Sequence, residues 1–140
     1  FGLNESSLKE VEILYGFYSA KTGAGKQEIR IRGDGAVELF FTRTYESEPV
    51  IRRGRLPSET VTRLLDFTED QGLMGLQDHY PPSGDPHYRR VLQLTLPGRT
   101  KRVMLDEPGS LEFERISAAV QFTAGMALPE ALRQRFFPNL

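Results

Sequence analysis

Both histidines of the chain fall in one stretch, "QDHYPPSGDPHY", where Asp78, His79, Asp85 and His87 alternate carboxylates with imidazoles. These are the side chains that bind divalent metals and that act as general bases near neutral pH. The stretch is therefore the candidate centre of a small metal-dependent hydrolase. Its spacing matches no established site, and its three prolines mark an irregular loop that would hold ligands less firmly than strands do. The plainer expectation is a solvated loop anchored to the core by Tyr80.

A second concentration of chemistry follows it. Between Asp85 and Asp106 there is no acid, while Arg89, Arg90, Arg99, Lys101 and Arg102 accumulate. A basic hairpin of this kind can hold phosphates, and Tyr88 beside it is able to stack on a base. The stretch is the candidate for a polyanion-binding module, or for a surface that meets an acidic protein. Arg89, Arg99 and Arg102 also alternate with apolar positions, as any solvated strand face does. A third candidate is aromatic: Tyr18 and Phe40 lie on the strand faces opposite the inferred core, and with Leu14 they would form an apolar patch for a protein partner or a second copy.

Two stretches spell known motifs. Arg32-Gly33-Asp34 is the tripeptide that integrin-type receptors read, but every one of its residues is explained by a turn, so integrin binding is not expected. "TGAGK" at 22–26 has part of a phosphate-binding loop. Ala20 stands where that loop requires glycine, Gln27 where it requires serine or threonine, and a strand follows where a helix is needed. No serine sits in a nucleophile-elbow context, and no pair of acids falls on inward strand positions. Catalytic residues are therefore not assigned, no cofactor is expected, and the balance leans away from an enzyme.

The elements that must position these groups show in the periodicity. Residues 11–18 alternate, with Val11, Ile13, Tyr15 and Phe17 on one face, and Gly16 marks a bulge or a close neighbour. Residues 26–32 and 36–45 form two further strands. Opposing inward residues must match, so Ile31 pairs with Val37 and Ile29 with Leu39 across a three-residue loop, Gly33-Asp34-Gly35. This register places Arg30 opposite Glu38 and asks positive φ of Gly35. Residues 50–56 read as a short edge strand whose Arg52, Arg53 and Arg55 discourage aggregation. A helix follows with Ser58 as N-cap, a stripe of Val61, Leu64, Leu65 and Thr68, and a stop at Gly72. In the second hairpin the same parity pairs Leu94 with Val103 and Leu92 with Leu105. A second helix runs from Ser110 through Phe113, Ile116, Val120, Ala124 and Ala127, ending before Pro129, and residues 129–137 add a terminal turn of helix. The predicted fold is α+β: an antiparallel meander of five or six strands with two helices on one face.

Size and charge agree with a single globular domain over 1–140. The chain has 140 residues, 39% of them hydrophobic and 26% charged, with a formal net charge of −1 and no cysteine. There is no disulfide or thiolate metal site, and no global drive toward nucleic acid, which is not expected as a partner. No apolar run is long enough to span a membrane. The opening residue, Phe1, suits a fragment or a processed form, and leaves extracytoplasmic and cytoplasmic locations both open.

The succession of a strand, "GDG", a strand, "GRL", "PSETVTRLLDF" and "GLMGLQDHY" resembles an uncharacterised family of small bacterial β-rich domains found in lipoprotein-like proteins. The likeness covers about residues 15–80 and extends weakly into the second hairpin. Those relatives commonly carry a cysteine pair near the first strand, which this chain lacks. The resemblance implies a bacterial origin and a β-rich domain, and it transfers no site. The expected function is a non-enzymatic interaction or assembly domain, an accessory protein or subunit. The alternatives are the metal-dependent hydrolase of the 78–87 loop and the polyanion module of the 88–102 hairpin.

Overall fold

A computed structural model describes residues 1–19, 25–42, 48–82, 88–106 and 110–127. A one-turn helix, α1 (Glu5–Leu8), leads into β1 (Glu12–Ser19), β2 (Lys26–Arg32), β3 (Ala36–Thr42) and β4 (Val50–Arg55). Helix α2 (Ser58–Asp70) and a single 3-10 turn at Leu73–Gly75 carry the chain to β5 (His79–Tyr80). The hairpin β6 (Tyr88–Leu96) and β7 (Arg99–Leu105) then precedes α3 (Leu111–Gly125).

The fold is α+β, as the periodicity predicts, but the sheet is larger than expected and is not a simple meander. Seven strands run in the order β4-β3-β2-β1-β6-β7-β5. After four strands in succession, α2 crosses from the β4 edge to the opposite edge, where the two residues of β5 pair in parallel with β7. The chain then returns through β7's neighbour β6 to the far side of β1. A two-residue strand inside a proline-bearing loop has no periodicity to detect, and α1 is too short to show one. Those two elements account for the extra strand and helix.

One face of the sheet makes the core. Ile13, Tyr15, Ile29, Ile31, Leu39, Leu92, Leu94, Val103 and Leu105 pack against Val61, Leu64 and Leu65 of α2 and Phe113, Ile116, Val120 and Ala124 of α3. The stripe of α2 is buried where its 3.6-residue period predicts, Thr68 included, whose hydroxyl donates to the Leu64 carbonyl. Burial of this apolar area is what holds both helices to the sheet. Ser110 caps α3 by accepting from the Phe113 amide. Ser58 does not cap α2: the extended residue before the helix is Pro57, and Ser58 is the first helical residue. Proline's fixed φ lets the chain turn into the helix one position earlier than the serine signal suggests. Gly72 ends that region in the left-handed conformation, with φ 78°.

The β2–β3 register matches expectation at each stated pair: Ile31 faces Val37, Ile29 faces Leu39 and Arg30 faces Glu38, with Gly35 at φ 98°. The second hairpin is displaced by two residues. Leu92 faces Val103, Leu94 faces Lys101 and Arg90 faces Leu105, because the loop is Pro97-Gly98 and Leu96 pairs with Arg99. Parity is preserved under a shift of two, so the same apolar residues still point inward. The deciding feature is the turn: proline sets the first loop residue, and Gly98 takes φ 76°, the pattern of a type II turn.

Candidate functional site

The loop proposed for metal is tied into the sheet by structural pairs. His79, on β5, places Nε2 2.6 Å from Oδ2 of Asp106. The same carboxylate accepts from Arg89 at both oxygens, Nε to Oδ1 at 2.6 Å and Nη2 to Oδ2 at 2.9 Å. Asp106 is thereby a hub, its side chain only 2% exposed, and Arg89 with His79 holds its carboxyl below the usual carboxylate range against the opposing effect of burial. Asp78 meets Lys101 Nζ at 2.8 Å, and the same ammonium donates to the Leu76 carbonyl at 2.6 Å. Tyr80 accepts from the Gln77 amide and packs against the core. Asp85 and His87 lie outside the described residues, and among the described residues no cluster of three metal-ligating side chains occurs.

The basic hairpin divides in the same manner. Arg90 points to the core side, where its guanidinium stands 5.3 Å from the centre of the Phe113 ring and forms a two-pronged pair with Glu114 of α3. Burial alone would lower its pKa, but the Glu114 pair raises it on balance, so the buried guanidinium stays charged. The same end of the core raises the pKa of Tyr15 through burial. Arg102 donates to Gln93 at 3.1 Å, and Tyr88 stacks on Phe17 with ring centres 5.4 Å apart. Arg99 stands exposed at the tip, where β7 begins. Four of the five hairpin cations therefore have internal partners.

On the opposite face, Leu14 and Val91 are buried yet lie outside the core cluster, Leu14 between Arg30 and Gln93 in its row and Val91 between Gly16 and Met104 in the next. Tyr18 folds its ring over Gly16, whose missing side chain makes the space, and donates to Glu28 at 2.8 Å. Burial, reinforced by Glu28, pushes its pKa up to about 12. A raised folded-state pKa contributes stability below the unfolded value near 10, which is lost as pH rises from about 10 toward 12. Tyr18→Phe should remove that alkaline step from a pH series of denaturant midpoints; an unchanged series would contradict the bond. Phe40 is half-buried under Lys26, whose Nζ lies 4.9 Å from its ring centre. Both aromatics are thus largely occupied by their own neighbours.

The turn that spells Arg-Gly-Asp is internally committed as well. Asp34 accepts from the Ala36 amide, and a side chain at Gly33 would meet the Leu8 carbonyl at 2.1 Å. Arg32 instead leans toward Glu12, 3.7 Å away. Of the "TGAGK" stretch, 22–24 lie outside the described residues, and Lys26 belongs to β2.

A further constellation, not foreseen from the sequence, lies across β2, β3 and β4. Strand pairing brings Arg30 and Arg32 of β2 beside Glu38 of β3 and Arg53 and Arg55 of β4, around a cleft of about 390 Å³. Arg30 pairs with Glu12 at 2.8 Å and Arg53 with Glu38 at 3.1 Å. Arg55 bonds the Asp34 carbonyl and makes no ion pair with a described residue. Arg30 also lies 3.8 Å from Glu28, so four guanidinium groups face three carboxylates, Glu12, Glu28 and Glu38, on a surface where Arg53 is 74% and Arg32 63% exposed. The "IRRGR" cluster was the visible signal, but its meeting with Arg30 and Arg32 depends on a β3–β4 register set across 43–49. Compared with protein-family models and with curated proteins, the chain shows no match.

Proposed function

We propose that this chain is a non-enzymatic protein-interaction domain that engages a partner through the β2–β3–β4 side of its exposed sheet face. The observation that carries this is the convergence of Arg30, Arg32, Arg53 and Arg55 on one accessible cleft, with more positive than negative charge. Such an arrangement steers and orients an acidic partner more than it supplies chemistry. The metal-dependent hydrolase is less well supported, because Asp78 and His79 are spent on Lys101 and Asp106. The polyanion module at 88–102 is less well supported because Arg89, Arg90, Lys101 and Arg102 are bound internally. A bacterial accessory role, the implication of the family resemblance, fits an interaction domain of this size.

A photo-cross-linking side chain at position 53 tests the location. Capture of a discrete partner from position 53, with none from position 99 at the tip of the second hairpin, is the expected result. Equal capture from both positions, or capture from 99 alone, would contradict it.

A further inference from the structure

The β4 edge carries more information than its charge. Among the described residues no strand pairs with its outer side, and β4 ends the sheet. The Leu56 amide donates to the Gly35 carbonyl at 2.8 Å, in register with the Ala36–Arg55 pair. In an antiparallel ladder, hydrogen-bonded and non-hydrogen-bonded pairs alternate. The backbone groups of Val50, Arg52 and Gly54 therefore turn toward β3, and those of Ile51, Arg53 and Arg55 turn toward the outer edge, where the Ile51 carbonyl accepts from the Arg52 guanidinium at 2.9 Å, a side-chain bond that an added strand replaces.

The side chains of those same three residues lie on the exposed sheet face. Across the sheet, one row reads Arg30, Glu38, Arg53, so charge alternates and the next position outward is complemented by an acid. The row of Arg55 also ends on a cation, which has no described carboxylate partner. The row of Ile51 ends on an apolar side chain that is 40% exposed, next to Phe40. We infer that β4 is a docking edge for an extended acidic segment of a partner protein, which adds as an eighth, antiparallel strand. Its pattern is acid, any residue, acid, any residue, apolar, set opposite Arg55, Arg53 and Ile51 in that order. This inference rests on the interaction reading above and names its partner's chemistry.

The arginines have a second consequence at the same edge. Two copies of β4 meeting edge to edge would set cations against cations, so the charge that admits an acidic strand rejects self-pairing. Main-chain bonds supply the docking and alternate side chains the selectivity, as in other strand-addition complexes.

The test is fluorescence anisotropy with a labelled peptide reading Glu-Thr-Glu-Thr-Val between neutral flanks. Binding is expected to weaken at least tenfold in the R53E/R55E variant, and to fall with added salt. N-methylation of the two glutamate amides, which face β4 in this register, should abolish it, whereas N-methylation of the threonines should be tolerated. Equal binding of an order-scrambled peptide, indifference to N-methylation, or equal binding of a single-stranded oligonucleotide would each overturn the acidic-strand inference. So would a doubling of mass showing self-association through β4. If the peptide fails while position 53 still cross-links a partner, this inference falls and the interaction reading stands; if both fail, both fall.

Discussion

Replacing Gly35 with valine should lower the stability of the domain by about 3 kcal/mol or more, a drop in Tm of about 10 °C for a chain of this length. Two effects add. Gly35 sits at φ 98°, where a β-branched residue is strained, and a Cβ there would stand 2.2 Å from the Leu56 carbonyl oxygen. That oxygen belongs to the backbone, so relief requires the β2–β3 turn and the end of β4 to move apart. The bond from Leu56 to Gly35 is lost in the same motion. Urea denaturation of the two proteins measures the effect. A valine variant as stable as the parent would show that the three-residue loop is wrongly placed.

Asp106→Ala should cost about 2–3 kcal/mol, the range for loss of hydrogen bonds to a charged group. The full penalty of breaking a buried ion pair does not apply, since Arg89 and His79 are both partly exposed and return to water. The effect has a pH signature with a definite sign. Because Arg89 and His79 depress the Asp106 pKa, its contribution is complete above the unfolded value near 4 and is lost as pH falls through the lower folded value. The stability gap between the parent and Asp106→Asn should therefore close in acid. A gap that stays constant from neutral pH to below pH 3 would contradict the ionised hub.

How much of this was legible beforehand varies with the physics of each element. The β2–β3 hairpin was readable residue by residue, because alternating apolar positions and a glycine with required positive φ leave one register. The second hairpin was readable in parity and misplaced by two, since Leu92, Leu94, Val103 and Leu105 stay inward under either pairing. Proline followed by glycine is the local signal that separates them. β5 was invisible: its pairing with β7 follows from tertiary contact and not from two residues of sequence. The hub role of Asp106 was not legible, because its partners Arg89 and His79 are 17 and 27 positions away. The arginine cleft was half legible. Arg30 opposite Glu38 followed from parity, whereas Arg53 completing the row required the register between β3 and β4.

That row, with its cation at the open edge, makes the strongest demand on experiment. Amide exchange along β4, measured by NMR with and without the acidic peptide, addresses it directly. The Arg52 amide, turned toward β3, should be protected in both states, while those of Ile51, Arg53 and Arg55 should exchange rapidly alone and slow on addition of peptide. Unchanged exchange at those three positions under saturating peptide, or new protection confined to residues 99–102, would contradict the account.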